Sequence, residues 1–370
     1  MTAWRYHNPV AVHFGCGELE RLPALLGERR AVLVTFPEAA GSGLLARLST
    51  LLGGSLNGII DDIEPNPDVA WFRSRYASFW REHADCVVVA VGGGSVVDTA
   101  KVLQVGVADG DFEHYFDAMR AGGQPAVIRA LPLIAVPTTA GTGSEVTPWA
   151  TLWDRSSAAP KKYSLHVDQT WPEAALVDPA LTRSAPASVT RNSGLDALSH
   201  ALEAIWNRNH NPVSDALAVA AARGVLATLP ALLAAPEAED LRIAMSRASL
   251  LAGLAFSNTR TALAHSVSYE MTLLHGLPHG LACSFTLPLV WQLAQGTDQG
   301  RDAVLASVIG SKVEEGPQVL AKFMDSVSVA TRFIDYGVSA DKARRMVTDA
   351  LEGARGRNFI NPSPGLDAVT

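Results

Sequence analysis

Aspartate and histidine residues are spaced in this chain as a divalent metal site requires. Asp196 and His200 stand four residues apart in GLDALSHALEA, so on a helix their side chains share one face, with Cβ atoms about 5–6 Å apart. His265, His275 and His279 lie close together further along the chain. Imidazole and carboxylate groups suit iron, zinc, manganese or nickel, and the absence of nearby cysteine argues against a structural Cys-type zinc site.

The same residues also have a purely structural interpretation. A histidine in an Ala- and Leu-rich helix is more often a core residue with a hydrogen-bond partner than a metal ligand. An Asp–His pair one helical turn apart often forms only a surface ion pair. Because the chain has 10 histidines, spacing alone leaves both interpretations open.

Two glycine-containing loops favour a nucleotide site. CVVVAVGGGSVVDTAK, residues 86–101, predicts a strand, a glycine turn and a helix whose first N–H groups suit a pyrophosphate. It is not a G-x-G-x-x-G pattern, since Val97 occupies the last glycine position. PTTAGTGSE, residues 137–145, follows another apolar run and supplies hydroxyl groups. Such loops bind nucleotides at the carboxyl ends of parallel strands, although two solvated surface turns would have a similar composition.

The elements that must position these residues fall into two halves. Over residues 1–181, continuous apolar runs at 31–35, 86–91 and 133–136 predict parallel strands covered on both faces, and a helix is predicted at 95–105. This alternation predicts an α/β dinucleotide-binding domain with a mostly parallel sheet. Over residues 182–370, apolar residues recur at helical spacing and predict an all-α metal-binding domain. Its predicted helices are 193–206, 212–229, 240–256 and 301–333.

Composition narrows the class of protein. The 370 residues are 48% hydrophobic and 18% charged, which is typical of a globular protein, and the net charge of −7 argues against nucleic-acid or anionic-membrane partners. The most membrane-like run, residues 225–235, is shorter than the roughly 20 residues that span a bilayer. The three cysteines are odd in number and far apart, and the N-terminus has no signal-peptide pattern. We therefore expect a cytoplasmic protein without a membrane partner. We also expect a homodimer, an oligomeric state that the composition does not fix.

Four motifs, taken together, resemble the iron-containing (group III) alcohol dehydrogenase family. GGGSVVDTAK, PTTAGTGSEVT, GLDALSHALEA and LPHG occur in the family's order and roughly at its spacing, and FGCGELERL and EPNPD are similar to its N-terminal motifs. The resemblance covers residues 14–288. It implies the architecture that this family shares with dehydroquinate synthase-like enzymes, with a divalent metal, Fe²⁺ first and Zn²⁺ second, in the cleft between an α/β and a helical domain.

The resemblance also assigns site residues. The metal ligands that it implies are Asp196, His200, His265 and His279. The positions that match the family's NAD(P)-lining residues are Gly92, Gly93, Gly94, Ser95, Asp98, Thr138, Thr139, Thr142 and Lys162.

The chain departs from the family in three places. Many members have a second histidine where this chain has Tyr269, so Tyr269 and His275 are the candidate catalytic residues for proton relay. Many members have an aspartate that holds the ribose 2′-OH where this chain has Phe36, so NAD and NADP are both candidate cofactors. Beyond about residue 296 no motif matches.

The resemblance implies a reversible, metal-dependent and NAD(P)H-linked reduction of a small aldehyde to a primary alcohol. In this reaction the metal acts as a Lewis acid while hydride moves between the substrate and the nicotinamide. The alternatives are another alcohol dehydrogenase, a maleylacetate reductase-like oxidoreductase, a dehydroquinate synthase-like lyase and a non-catalytic binding protein. Net NAD(P)H consumption with a simple aldehyde would separate the oxidoreductases from the last two.

Arg260 directs the substrate hypothesis. It precedes His265 by five residues, and a guanidinium there would bind a phosphonate, phosphate or carboxylate through paired hydrogen bonds. TRTALAHSVSYEMTLLHGLPHG is also similar to the phosphonoacetaldehyde reductase branch of the family. The leading substrate candidate is therefore phosphonoacetaldehyde, reduced to 2-hydroxyethylphosphonate in phosphonate metabolism. The alternative is a surface arginine, or one paired with Glu270 or Asp196.

Overall fold

The chain folds into two compact units. The computed structural model describes residues 3–156 and 160–369. Within the described chain, residues 9–139 and 144–184 form an α/β unit, and residues 3–8, 140–143 and 185–369 form a helical unit. The predicted architecture, a parallel-sheet domain followed by a helical domain, is confirmed.

A six-stranded, fully parallel sheet organises the α/β unit, in the strand order β1-β10-β7-β4-β2-β3. Two antiparallel pairs, β5 with β6 and β8 with β9, accompany it. In chain order the strands are β1 Ala11–Phe14, β2 Ala31–Val34, β3 Leu56–Ile60, β4 Val87–Gly92, β5 Val105–Gly106, β6 Arg129–Ala130, β7 Leu133–Pro137, β8 Trp149–Asp154, β9 Lys161–His166 and β10 Ala174–Val177.

Helices cover both faces of this sheet. They are α1 Leu22–Leu26, α2 Glu38–Gly41, α3 Leu44–Leu52, α4 Val69–His83, α5 Gly94–Gln104 and α6 Phe112–Arg120. Alternate residues of β4 enter different cores: Val89 packs in the cluster that contains Leu22 and Leu48, whereas Val88 packs in the one that contains Phe72 and Phe112. Because both faces are covered, the strand sequence is apolar without alternation, as predicted.

The strand order creates a switch point between β2 and β4. From β2 the chain moves to β3 on one side of the sheet, and then to β4 on the other side of β2. The Thr35 hydroxyl donates to the Val91 carbonyl oxygen at 2.8 Å and so joins the carboxyl ends of the two strands. Open α/β sheets bind ligands at such a point, which places Phe36 and the glycine turn at the expected edge.

The helical unit begins with three long helices that pack on one another, α7, α8 and α9. In chain order its helices are α7 Ala187–Ile205, α8 Pro212–Ala234, α9 Glu239–Thr259, α10 Leu263–His275, α11 His279–Ala282, α12 Leu287–Ala294, α13 Gln299–Ile309, α14 Gly316–Ser326 and α15 Ala340–Glu352. The prediction of one helix over residues 301–333 is wrong. Gly310 adopts a left-handed φ of 69° and ends α13, and α14 then starts with a proline in its first turn.

Helix α8 is apolar on most of its surface. By length and composition alone it would be able to cross a membrane, and 39% of its most apolar stretch is buried within the protein. It packs closely on both neighbours: a Cβ on Gly224 would lie 2.9 Å from the Ala248 side chain on α9, and one on Gly194 of α7 would lie 2.7 Å from Leu229 of α8. This packing is typical of a core helix in a globular unit.

Candidate functional site

Helix α7 carries the first predicted ligand pair. Asp196 and His200 are 3% and 5% exposed, and the Asp196 Oδ1 lies 3.7 Å from the His200 Nε2. The imidazole of His200 stacks on Phe256 of α9, with ring centroids 4.0 Å apart. The helical spacing therefore places the pair on one buried face, and the surface ion-pair interpretation does not apply.

A glycine brings the second ligand segment onto α7. Gly276 ends α10 in the left-handed region, with φ 68°, and Pro278 directs the chain into α11. A Cβ on Gly280 would stand 1.9 Å from the Asn192 carbonyl oxygen of α7, so only glycine permits this approach. As a result His279, the first residue of α11, lies beside Asp196.

Four donor atoms converge here, from Asp196, His265, His279 and Cys283, and all lie within 4.8 Å of one another. The Asp196 Oδ1 stands 3.4 Å from the His265 Nε2 and 3.3 Å from the Cys283 Sγ. His200 is outside this group of four, although its imidazole stacks on that of His265 with centroids 4.6 Å apart. The interpretation that no cysteine is near these residues is wrong, because Cys283 follows His279 by four residues and its Sγ lies beside Asp196.

Glu203 is a buried residue of the site that was not predicted from the sequence. Its Oε2 lies 2.7 Å from the His265 Nδ1, and its two oxygens accept the backbone N–H groups of Ala262 and Ala264. A carboxylate behind a histidine fixes the ring and its tautomer, and so directs the Nε2 lone pair toward a metal. The helical spacing pointed to this residue, since Glu203 follows His200 by three residues and Asp196 by seven and so lies on the same helix face.

The donor set fits a divalent metal. Ligand atoms about 2.1 Å from a tetrahedral ion stand roughly 3.4 Å apart, which is the separation of the Asp196 Oδ1 and the His265 Nε2. That Nε2 is buried and has no hydrogen-bond partner among the residues that the structure describes. A carboxylate, imidazoles and a thiol all offer lone pairs, and a bound cation would accept electron density from each of them.

The buried cluster shifts the pKa values of Asp196 and His200. Burial alone would raise the pKa of Asp196, but His200, His265 and His279 outweigh burial and hold its pKa well below the usual range. Burial lowers the pKa of His200 to about 4, so its imidazole is neutral at pH 7. A permanently ionised carboxylate and a neutral imidazole are the forms that bind metals.

The other predicted residues of the helical unit occupy different positions. Tyr269 lies one turn beyond His265 on α10, and the guanidinium of Arg355 stands 5.2 Å from its ring centre. His275 ends α10, roughly 15 Å along the helix from His265, and its Nε2 lies 3.0 Å from the Lys342 Nζ. Arg260 caps α9 with an exposed side chain. Of these three, only Tyr269 is on the helix turn next to a metal-site residue.

The glycine turn of the α/β unit follows β4 directly. A Cβ on Gly92 would meet the Val96 side chain at 2.4 Å, so this position requires glycine. Gly93 caps α5 and Gly94 is its first residue. The Ser95 hydroxyl accepts the backbone N–H of Asn66, at 3.0 Å, from the EPNPD motif. The turn therefore presents the start of an 11-residue helix, which suits a phosphate.

Part of the PTTAGTGSE loop, residues 137–145, lies against the glycine turn that follows β4. Thr138 donates its backbone N–H to the Gly92 carbonyl oxygen, and the Thr139 side chain would touch a Cβ placed on Gly93, at 3.4 Å. Thr142 instead lies on residues 140–143, which pack with the helical unit. Lys162 of β9 places its Nζ 5.1 Å from the Trp153 ring centre. Thr138 and Thr139 thus share the edge of the sheet with the glycine turn.

Asp98 belongs to a buried polar network. Its carboxylate accepts the Ser144 hydroxyl at 2.7 Å and the Thr151 backbone N–H at 2.9 Å. Lys101, one turn further along α5 and 0% exposed, donates to the carbonyl oxygens of Ser144 and Trp149. Lys101 was not among the predicted residues, because lysine is rarely buried. Burial lowers its pKa to about 8.

Family comparisons agree with this geometry. Residues 9–179 match the family model described as iron-containing alcohol dehydrogenase, and residues 190–365 match that of the C-terminal domain of the Fe-containing alcohol dehydrogenase family. The chain belongs to the iron-containing alcohol dehydrogenase family. The predicted enzyme class, an oxidoreductase, and the cofactor classes, a nicotinamide dinucleotide and a divalent metal, are therefore confirmed. The match reaches residue 365, well beyond LPHG, the last of the four motifs along the chain.

Named relatives of this iron-containing alcohol dehydrogenase differ in substrate. It is 32% identical to long-chain-alcohol dehydrogenase 1 of Geobacillus thermodenitrificans, over 96% of this chain and 92% of the relative. It is 31% identical to 1,3-propanediol dehydrogenase of Klebsiella pneumoniae, over 92% and 89%. Its fold is similar to the structure of sulfoacetaldehyde reductase from Bifidobacterium kashiwanohense in complex with NAD⁺, with a TM-score of 0.88 and 31% identity over 98% and 96% of the two chains.

Proposed function

We propose that this enzyme reduces a small aldehyde to a primary alcohol with NADH or NADPH, reversibly and with a divalent metal. The observation that carries the proposal is the convergence of the Asp196 carboxylate and the His265 imidazole at 3.4 Å, with Glu203 behind the imidazole. Family membership supports the alcohol dehydrogenase chemistry. Turnover of NADH with an aldehyde panel by metal-loaded enzyme, and its loss in chelator-stripped enzyme, tests this function; full activity after stripping would contradict it.

We assign the metal to Asp196, His200, His265 and His279. When bound, the metal supplies Lewis-acid polarisation of a carbonyl oxygen, and the nicotinamide supplies the hydride. Asp196 contributes a carboxylate that stays ionised, and Glu203 holds the His265 ring in the tautomer that presents its Nε2. Iron is the first candidate metal and zinc the second.

Tyr269 is our first candidate for supplying the proton. It lies at i+4 from His265, on the same helix face, and burial raises the pKa of its hydroxyl, which therefore stays protonated at neutral pH. His275 is the second candidate, but it sits at the far end of α10. Tyr269→Phe should lower kcat by about 100-fold or more without changing metal content. An unchanged kcat, with His275→Ala impaired instead, would reverse this assignment.

The dinucleotide is assigned to the α/β unit through its glycine turn and the residues around it. Phe36 follows β2, where it offers no carboxylate to hold a 2′-OH or to repel a 2′-phosphate. We expect NADH and NADPH to differ by less than about 100-fold in kcat/KM, under roughly 2.7 kcal/mol. A ten-thousand-fold preference for NADH would show that another carboxylate reads the ribose, and Glu38 at the start of α2 would be the first to test. The nine proposed cofactor residues are Gly92, Gly93, Gly94, Ser95, Asp98, Thr138, Thr139, Thr142 and Lys162.

For the substrate we propose a small anionic aldehyde, with phosphonoacetaldehyde first and sulfoacetaldehyde second. The similar structure of a sulfoacetaldehyde reductase supports an acidic head group next to a short aldehyde. Arg260 supports it as well. Its backbone, with φ 68° and ψ 177°, lies in a region that costs non-glycine residues about 1–3 kcal/mol and that is concentrated at functional sites.

The turn that carries Arg260 is held by several neighbours. The Asn207 side chain donates to the Arg260 carbonyl oxygen at 3.1 Å, and the Asn358 side chain donates to that of Thr261 at 2.9 Å. The guanidinium of Arg355 donates to the Thr261 hydroxyl at 2.8 Å. Arg355 is therefore the second basic residue that we propose for anion recognition.

The test compares arginine variants on charged and neutral aldehydes. If Arg260 pairs with the substrate anion away from water, Arg260→Ala should cost about 2–5 kcal/mol, or roughly 30- to several-thousand-fold in kcat/KM, with phosphonoacetaldehyde and little with propanal. Arg355→Ala is tested in parallel, and exposed Arg357→Ala is the matched control. Equal losses on both aldehydes would mean that the arginine supports the fold. A larger kcat/KM with sulfoacetaldehyde in the wild type would replace the phosphonate.

We also propose that the enzyme is cytoplasmic and homodimeric. Within residues 3–156 and 160–369 its three cysteines form no disulfide, which suits a reducing compartment. Analytical ultracentrifugation of the full chain measures the dimer directly, and a monomer at micromolar concentration would contradict it.

A further inference from the structure

We propose that Cys283 is a ligand of the metal, which therefore binds a sulfur donor together with carboxylate and imidazole donors. This inference rests on the metal-dependent function proposed above. It adds one donor to the four histidine and aspartate ligands and removes none of them.

The position of the thiol carries the inference. Cys283 is 0% exposed, and its Sγ lies within 4.8 Å of the donor atoms of Asp196, His265 and His279. The closest of these, the Asp196 Oδ1, is 3.3 Å away. An ion about 2.3 Å from the sulfur and about 2.1 Å from the oxygen places these atoms roughly 3.1 Å apart at an octahedral angle and roughly 3.6 Å apart at a tetrahedral angle, and the observed separation lies between the two. The thiol thus stands where a shared ion would reach both atoms with little movement.

His265 provides the second observation. Its Nδ1 is held by Glu203, and its buried Nε2 has no hydrogen-bond partner in the part of the chain that the structure describes. This Nε2 belongs to the same group of four donor atoms as the Cys283 Sγ. An imidazole nitrogen oriented by a carboxylate and left without a partner marks the place of an ion, and the thiol borders that place.

The rival interpretation is a neutral thiol that only positions Asp196 through an S–H···O hydrogen bond. Such a thiol keeps its proton and donates it to the Asp196 Oδ1 at 3.3 Å or to the Gly280 carbonyl oxygen at 3.5 Å. A coordinating cation reverses this preference, because the thiolate is the ligand form and its proton is released to solvent. The two interpretations therefore differ in whether a sulfur–metal bond exists.

Sulfur ligation has a consequence for the choice of metal. Thiolate ligands favour zinc, iron and cobalt over harder ions such as Mn²⁺ and Mg²⁺. His200, 3.7 Å from the Asp196 Oδ1, completes a set of five donors. An octahedral ion with five protein donors keeps one position open for substrate.

Cobalt(II) is the probe that tests the sulfur bond. Metal-stripped full-length enzyme is titrated with Co²⁺ alone, and its absorption spectrum is recorded. We expect visible d–d bands together with a near-ultraviolet thiolate-to-cobalt charge-transfer band. Cys283→Ser should lose the near-ultraviolet band, keep the visible bands and bind Co²⁺ at least about tenfold more weakly. Cys86→Ser, which alters the other buried cysteine, should behave as wild type.

Each other outcome separates the two proposals. Visible bands without the near-ultraviolet band in the wild type would overturn sulfur ligation and leave the metal-dependent function standing. No Co²⁺ binding by the wild type would overturn the metal site and both proposals with it. If Cys283→Ser does not fold, X-ray absorption of the zinc-loaded wild type decides the question: a sulfur neighbour at about 2.3 Å supports the bond, and a shell of only nitrogen and oxygen contradicts it.

Discussion

Each unit of this enzyme buries a polar cluster, and the two clusters are built on opposite principles. In the α/β unit the ammonium of Lys101 faces acceptors: the carbonyl oxygens of Ser144 and Trp149 lie 2.6 and 2.7 Å from its Nζ, and the Ser144 hydroxyl lies at 2.9 Å. In the helical unit, the candidate metal-binding atoms of Asp196, His265, His279 and Cys283 all lie within 4.8 Å of one another.

The difference shows which buried polar clusters require a ligand. A lysine has three N–H donors and no acceptor, so carbonyl oxygens around it complete the cluster within the chain. A carboxylate on each side of the His265 ring is balanced either by a proton on that ring or by a metal ion at its Nε2, and the further donors of His279 and Cys283 beside Asp196 favour the metal ion. Charge matching, rather than burial or residue type alone, separates a structural cluster from a metal site.

The largest effect should follow from removing a metal ligand. His279→Ala should lose bound metal and nearly all turnover, more than about ten-thousand-fold or roughly 5.4 kcal/mol, while the circular dichroism spectrum of the fold survives. Metal content measured by atomic emission and turnover measured with NADH check the two effects together. A variant that keeps its metal and its activity would show that the cluster of the helical unit does not need His279 to bind a metal.

The opposite behaviour should follow from removing the cation of the structural cluster. Lys101→Met leaves Asp98 and Glu145 buried without their common positive neighbour, so we expect about 3–5 kcal/mol of lost unfolding free energy in urea titrations. The metal content of the folded fraction should not change. A stable variant that loses its metal would contradict the separation of the two clusters.

The smallest effect should come from the carboxylate behind His265. Glu203→Gln keeps the size of the side chain but weakens its hold on the His265 Nδ1, so metal affinity should fall about 10- to 100-fold, or roughly 1.4–2.7 kcal/mol. Glu145→Gln is the control, since it alters a buried glutamate of the other unit. Equal metal affinities in the two variants would show that Glu203 only holds the start of α10 against α7 and does not affect metal binding.

The sequence predicted what depends on local periodicity. Asp196 and His200 were found from their spacing of four, and the apolar runs that became β2, β4 and β7 were found from their length and composition. Glu203 was within reach of the same periodicity argument. Gly310 was also a visible signal, but the apolar pattern on both sides of it predicted one helix through it.

Contacts between distant segments were not predictable in this way. Cys283 follows His279 by four residues, yet its place beside Asp196 depends on how closely α11 lies on α7. Lys101 has an ordinary helical position, and its burial depends on acceptors supplied more than 40 residues later. Such positions arise from tertiary packing, which a single sequence does not display.

Gly280 takes no part in metal binding, but its close contact with the Asn192 backbone restricts which residues position 280 tolerates. Any side chain at this position would collide with the Asn192 carbonyl oxygen, and the helix turn that carries both His279 and Cys283 would then move away from α7. In a saturation mutagenesis experiment selected for activity, residue 280 should therefore be nearly as intolerant as residue 279. The backbone that delivers the donor atoms is therefore as restricted in sequence as the donor atoms themselves.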